Sequence, residues 1–264
     1  MSQEWLYGID EWIIFAVSVV VLCASALGGY AIGRRLDAYD SGEAPGFLGA
    51  IQGALLGLLG LLLSFTFAMT VGRFDVRREL VPAEANAIRA AYFRTSMVPE
   101  PERAELRRIL VRYVDARLDF FRAGQEEAQV SAANAASDRL FDELWSKGAQ
   151  LVERYPNAPM NESLVASFSD VSQLQEKRRT AMQSHVPEAV FFLLFGVSIL
   201  SMVMTGYVCV SGKRHHLALV MAMGVMFAIV ILVIMDLDRP RRGIVLVSQE
   251  SMIRLRASIE PPHS

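Results

Sequence analysis

The residues of this chain that could support acid–base chemistry are three carboxylates, Glu84, Asp236 and Asp238. Paired carboxylates can act as general acid and base when the fold brings them together. Asp236 and Asp238 stand directly before a group of arginines that begins at Arg239. A local ion network at the end of an apolar helix accounts for this pattern, and carboxylates that attract cations to a pore mouth are the alternative. Nothing in the sequence brings Glu84 to this segment, so we predict that the protein is not an enzyme.

Neither the histidines nor the cysteines have the spacing of a metal site. Cys23 and Cys209 lie in apolar segments, where they fill space as small apolar side chains. His215 and His216 stand in a basic loop that is either solvated or in contact with lipid headgroups. Nucleotide-binding, serine-hydrolase and zinc-protease motifs do not occur in the sequence. We predict no cofactor and no metal, and the net charge of −2 gives no indication of a nucleic-acid partner.

Long uncharged segments dominate the composition. Hydrophobic residues make up 53% of the 264 residues, and the mean hydropathy is +0.31. A helix needs about 20 apolar residues to cross a bilayer, and four uncharged segments are near or above that length: Trp12–Gly33, Phe47–Gly72, Ala189–Gly212 and Leu217–Met235. The sequence therefore predicts an all-α integral membrane protein with four transmembrane helices in two hairpins, in contact with the lipid bilayer.

A long polar region separates the second and third segments and has apolar residues at helical spacing. Pro82 is expected to bend the first of its helices, Pro99–Glu102 is a start signal, and Pro156–Pro159 is a break. We therefore divide the chain into an N-terminal segment and hairpin (1–72), a helical domain (73–185), a second hairpin with the juxtamembrane sequence DLDRPRRG (186–243), and a tail (244–264).

Basic residues near the spans are unevenly distributed between the two sides of the membrane. The two hairpin connectors hold only Arg34, Arg35, Lys213 and Arg214. The opposite side, with the helical domain and both termini, holds the larger number: Arg73, Arg77, Arg78, Arg89, Lys177, Arg178, Arg179, Arg239, Arg241, Arg242 and Arg254. The first hairpin argues locally for the reverse, because Arg34 and Arg35 follow an N-terminus without a basic residue. By the positive-inside rule, the larger total predicts that the helical domain and both termini are cytoplasmic.

The second uncharged segment carries two stripes of residues. Small residues recur at spacings of three and four, namely Gly46, Ala50, Gly53, Gly57, Gly60 and Ser64. Bulky residues follow another side, namely Leu55, Leu58, Leu62, Phe65 and Met69. Small stripes let helices approach closely in lipid. This stripe indicates either packing inside a four-helix bundle or a helix that surrounds a pore.

Charged residues follow this segment without a break. Arg73, Arg77 and Arg78 are expected either to anchor the helix at the lipid headgroups or to line a pore vestibule. Glu84 lies near Pro82, and we expect it to be either an exposed helix carboxylate or a member of a charged ring in an oligomer.

Three stretches resemble the bestrophin-like family of bacterial membrane proteins: LLGLLGLLLSFTFAMTVGRFDVRR…EANAIRAAYFR (Leu55–Arg94), EKRR…VP (Glu176–Pro187) and DLDRPRRG (Asp236–Gly243). That family is distantly similar to the bestrophins, which are pentameric ion channels. The resemblance implies a protein of the bacterial inner membrane that forms a homo-oligomer, a pentamer by analogy. If it is a channel, its partners are the inorganic ions that it conducts. It brings no established activity with it.

The match to the bestrophins themselves centres on Phe65. Their second span has a Phe at this position, eight residues later an Arg followed by an aromatic residue, and a further Arg, which Phe65, Arg73-Phe74 and Arg78 reproduce. In bestrophins this Phe and the residues four and eight positions before it form the pore neck. The corresponding residues here are Phe65, Leu61 and Gly57.

Two departures bear on the neck. Gly57 stands where the resemblance implies a bulky residue, so we expect its ring to be wider. Thr66-Phe67 replaces the Arg-Asn pair of bestrophins, so the ion selectivity of bestrophins does not carry over. The hypothesis is a homo-oligomeric ion channel with Leu61, Phe65 and Met69 as an apolar gate. The alternative is a non-conducting membrane scaffold or sensor whose cytoplasmic helices bind a partner.

Overall fold

The structure, a computed structural model, describes residues 10–35, 44–124, 126–211, 214–239 and 245–259. It contains eight α-helices in these residues, with no strand among them: α1 (Glu11–Arg35), α2 (Ala44–Arg94), α3 (Glu102–Arg122), α4 (Glu127–Arg154), α5 (Met160–Gln183), α6 (Glu188–Val208), α7 (Arg214–Asp238) and α8 (Glu250–Ser258). The predicted all-α class is confirmed. Lys213, Arg241, Arg242 and Gly243 lie outside the described residues, as does most of the first connector.

Four helical stretches are long and apolar enough to cross a membrane, as the sequence predicts, namely Glu11–Arg35, Gly46–Met97, Met160–Val208 and His216–Asp238. The contacts within the chain group into two units. The first, here called the membrane unit, comprises Met1–Gly72 and His185–Arg239. The second, the helical unit, comprises Arg73–Ser184 and Pro240–Ser264. Helix α2 contributes to both units and continues past Pro82 to Arg94.

Close packing in the membrane unit depends on glycines of α1 and α6. A Cβ at Gly206 would lie closer than 3.0 Å to the carbonyl oxygen of Ala26, and one at Gly29 would meet the carbonyl of Val203 in the same way. Backbones in such contact leave no room for a side chain, and small residues allow this approach in lipid. In the described part of the membrane unit, the glycines whose Cβ would meet the backbone of a neighbouring helix are therefore in α1 and α6.

An apolar core of the membrane unit is built around two leucines of α2. Leu59 and Leu63 are buried in a cluster with Val186, two residues before α6, and with residues of α6 and α7, namely Phe191, Leu194, Ile231, Ile234 and Met235. The Ser201 hydroxyl of α6 also donates a hydrogen bond to the Leu55 carbonyl, at 3.4 Å. These contacts fix which side of α2 faces its own chain.

The described residues of the helical unit form a large apolar core drawn from the second half of α2 and from α3, α4, α5 and α8. Its buried members include Ile88, Leu110, Leu144, Phe168 and Leu255. Helix α3 begins directly after the Pro99–Pro101 signal, and α5 begins directly after Pro159. The C-terminal tail, predicted from the sequence as a separate segment, supplies α8, whose Met252 and Leu255 are buried in this core.

Candidate functional site

One side of α2 in the membrane unit is buried by its own chain. Leu59, Leu63, Thr66 and Thr70 are all buried. The two threonine hydroxyls donate to carbonyls one turn earlier in the same helix, Thr66 to Leu62 and Thr70 to Thr66, both at 2.8 Å. Their polar atoms are therefore satisfied without water.

The four predicted neck residues lie on the exposed side of α2. Leu61 is 53% exposed, Phe65 is 65% exposed, and Gly57 and Met69 are also exposed. Leu61 is two residues from both Leu59 and Leu63, so it points about 160° away from each at roughly 100° per residue. The structure thus brings these residues together on a surface that the described part of the chain leaves exposed.

The small stripe of α2 is exposed along its whole length. A Cβ built on Gly46, Gly53, Gly57 or Gly60 would meet no atom of another helix within 4 Å among the described residues, and Ala50 and Ser64 are exposed as well. Packing inside the chain's own helix bundle, one of the two interpretations of this stripe, is therefore wrong. The bundle is closed instead by the α1 and α6 glycines.

Two of the juxtamembrane arginines bind the end of α5. Arg77 is buried, and it donates to the carbonyls of Ala181 (3.0 Å, from Nε) and Ser184 (2.6 Å, from Nη2). Arg73 donates from Nη1 to the Ser184 hydroxyl at 2.8 Å. The last carbonyls of a helix lack intrahelical partners and carry partial negative charge, which a guanidinium satisfies. A lipid-headgroup anchor is therefore the wrong role for Arg77, whereas Arg78 is exposed.

Glu84 lies in the core of the helical unit between two arginines, and its side chain is fully buried. Its Oε1 is 2.8 Å from Nε of Arg117, and its Oε2 accepts from Nη2 of Arg117 at 3.3 Å and from Nη1 of Arg178. Both expectations for Glu84, an exposed carboxylate and a ring in an oligomer, are wrong because the chain itself encloses the side chain.

Neutral polar groups complete the surroundings of Glu84. The Tyr113 hydroxyl shares its one proton between Gln175 Oε1 (2.9 Å) and Glu84 Oε1 (3.3 Å), and Arg178 donates to Gln249 Oε1 at 3.2 Å. Burial, followed by the neighbouring carboxylate, raises the pKa of Tyr113, so its hydroxyl stays protonated. Burial opposes the charge on Arg117, but the Glu84 carboxylate outweighs it and raises the pKa of that guanidinium. Sequence reasoning missed this cluster.

The carboxylates at the end of α7 are buried in the membrane unit together with Arg239. Oδ2 of Asp238 accepts from the Val186 backbone N–H at 3.0 Å and lies 3.7 Å from Nδ1 of His185. Asp238 therefore ties the start of α6 to the end of α7, which is a structural role. Since Asp236 and Asp238 are both buried within this chain, neither presents a carboxylate at an open pore mouth.

No group of three or more histidine, cysteine or acidic side chains in the described part of the chain could hold a metal ion. Glu84 is occupied by two guanidiniums and the Tyr113 hydroxyl, so it is not available as a general base. The buried charged residues therefore serve to hold helices in place. The surface left for a function in the membrane unit is the exposed side of α2.

Comparison with known proteins identifies the class. The family model described as Bestrophin-like domain matches residues 15–252. The chain therefore belongs to the bestrophin-like family. No curated protein matches the chain.

Solved structures show that the fold is shared with bacterial bestrophin homologues. A variant of the homologue from Klebsiella pneumoniae is 13% identical with a TM-score of 0.69, over 92% of this chain and 96% of that chain. Another variant from the same organism is 15% identical with a TM-score of 0.68, over 95% and 98%. A third structure, described only as a membrane protein, is 14% identical with a TM-score of 0.69, over 95% and 97%.

Proposed function

We propose that the protein is a homo-oligomeric ion channel of the bacterial inner membrane, with a pore lined by α2. The observation that carries this proposal is the pair of opposite faces on that helix. Leu59 and Leu63 bind the helix to its own chain, and Leu61 and Phe65 face away from it. Several copies of such a helix around an axis would line an apolar neck with Leu61, Phe65 and Met69, which closes by dewetting. Gly57 makes a wider ring in that neck.

The exposed small stripe supports assembly from several copies. Glycine in a helix costs up to about 1 kcal/mol relative to alanine, and a surface that only touches lipid tails gains nothing from it. Gly53, Gly57 and Gly60 have open space above their Cα atoms. Close contact with a helix of another copy would use that space. The similarity to bestrophins favours five copies.

The orientation we propose has the helical unit and both termini in the cytoplasm. It rests on the excess of basic residues on that side of the spans. A reporter fused to the C-terminus that is active only in the periplasm would overturn it.

Ion flux through liposomes tests the channel. The neck predicts that Phe65→Ala raises the flux of purified, reconstituted protein, because it removes the largest apolar side chain of the constriction. Phe67→Ala is the matched control, since Phe67 is on the same helix, is also exposed, and points about 160° away from Phe65. The channel is refuted if neither the unmodified protein nor Phe65→Ala conducts, and the neck is refuted if Phe67→Ala has an equal effect.

The mass of the detergent-solubilised complex tests the assembly. We expect five copies, and we expect Gly60→Leu to release them because the leucine fills the space used for close contact. Gly28→Leu is the control, because Gly28 of α1 is equally open but lies outside the stripe. A monomer would exclude a pore on an axis and would favour the alternative of a scaffold or sensor that binds a partner.

A further inference from the structure

A small cavity in the helical unit is lined by three arginines. Its volume is about 50 Å³, and it is open to solvent. Arg117, Arg178 and Arg179 are joined in its wall by two amide side chains and two apolar ones, namely Asn134, Gln183, Phe120 and Met182. All seven residues belong to α3, α4 and α5, and none of them belongs to the α2 surface proposed as the pore.

The buried part of the cavity wall carries more positive than negative charge. Arg117 and Arg178 are 5% and 2% exposed, and the one carboxylate between them is Glu84. One carboxylate neutralises one of two guanidiniums. The groups that hydrogen-bond to the triad, Tyr113 and Gln249, are neutral, as is Gln175 beside Tyr113. Arg179 is paired with Asp138, at 2.6 Å and 2.8 Å, and its Nη1 lies 3.9 Å from the exposed carboxylate of Glu176. The excess of positive charge is therefore confined to the buried pair Arg117 and Arg178. A buried charge without a counter-charge is costly in a protein interior.

The guanidinium groups also have donors to offer. Each arginine has five N–H donors in a planar fork that suits small anions. Among the described residues, the buried Nε of Arg178 has no hydrogen-bond acceptor. Asn134, half-buried on α4, adds an amide to the same wall.

The size of the cavity limits what it can hold. A single water needs about 10–15 Å³ on the same measure, so a volume near 50 Å³ accommodates a few waters or one small ion. We propose that this cavity binds a small inorganic anion, such as chloride or phosphate, as the counter-charge of the Arg117–Glu84–Arg178 triad. The proposal does not depend on ion conduction by the protein.

Thermal unfolding of the full chain in an uncharged, phosphate-free detergent tests the site. Replacing sodium gluconate by sodium chloride or sodium phosphate at equal ionic strength should raise the midpoint by about 3–5 °C at ten times Kd, because gluconate is too large for the cavity. Asn134→Asp places a carboxylate in the wall and should abolish that rise while raising the midpoint in gluconate. Asn157→Asp makes the same chemical change at an exposed turn and should keep the full rise.

Two further measurements separate the sources of the effect. Anionic lipid added in gluconate should give no rise, and a rise equal to that with phosphate would assign the site to a lipid headgroup and overturn the proposal. Crystals grown in bromide should show an anomalous peak beside Arg117 and Arg178, which Arg117→Gln should remove. An absent peak, or the same chloride response in Asn134→Asp and Asn157→Asp, would also overturn it.

Discussion

Glu84→Gln is the substitution that most directly tests the buried triad. It keeps the shape of the side chain and removes the negative charge that lies within hydrogen-bond distance of Arg117 and Arg178. The variant leaves two buried guanidiniums facing each other without a counter-charge. Removing one partner of a buried ion pair costs about 3–5 kcal/mol, and contact with two arginines places Glu84 toward the upper end of that range.

The loss should be visible as a lower midpoint of thermal unfolding. For a chain of this size a loss of 3–5 kcal/mol corresponds to roughly 6–20 °C. The measurement is made on the detergent-solubilised full chain by circular dichroism. Glu79→Gln is the control, because Glu79 lies on the same helix but is exposed, and its effect should stay within about 0.5 kcal/mol.

A small effect would refute the reasoning. If Glu84→Gln lowers the midpoint no more than Glu79→Gln does, Glu84 is not enclosed with two arginines in the folded protein. The anion proposal adds a second expectation for the same variant. Its midpoint should rise more steeply with chloride than that of the unmodified protein, since the excess positive charge is larger.

Two further contrasts test the packing of the helices. Gly206→Ala should destabilise the protein by about 1–3 kcal/mol, because its Cβ would collide with the Ala26 carbonyl. Gly196→Ala, on the same helix but with open space around it, should be neutral or stabilising by up to about 1 kcal/mol. Equal unfolding midpoints for the two variants would contradict the α1–α6 contact. Arg77→Ala should lower the free energy of unfolding by about 2–3 kcal/mol, since it leaves the Ala181 and Ser184 carbonyls without the guanidinium donor. Arg78→Ala should change the free energy of unfolding by less than about 0.5 kcal/mol. A matching loss in both variants would mean that Arg77 does not cap α5.

Much of the fold can be predicted from the sequence because its signals are local. The length of a membrane span is a property of consecutive residues, so four apolar segments predict four candidate spans. Proline acts on its own backbone, so Pro99–Pro101 marks the start of α3 and Pro159 that of α5. The start of α4, which lacks such a marker, is less evident in the sequence. The family, too, follows from residues that stand in order along the chain.

The placement of Glu84 and Arg77 was predicted incorrectly because burial depends on distant residues. In an apolar membrane protein, charged residues that follow a transmembrane segment are normally interpreted as surface groups. A local signal did exist: Leu63, Thr70, Arg77, Glu84 and Ala91 recur every seven residues, and all five are buried. A seven-residue interval is close to two helical turns, so these side chains share one face. The pattern identifies the buried face of α2, but it does not identify the residues that pack against that face.

The sequence determined the helices, the spans and the resemblance to a family, since each depends on neighbouring residues or on their periodicity. The tertiary structure decided which small residues bring helices together and which charged residues are enclosed. Gly29 and Gly206 look no different in the sequence from Gly53 and Gly60, yet the first two meet a carbonyl and the other two meet open space. The physical reason is that a glycine, or a carboxylate, acquires its role from the atoms opposite it, and those atoms come from helices far away in the chain.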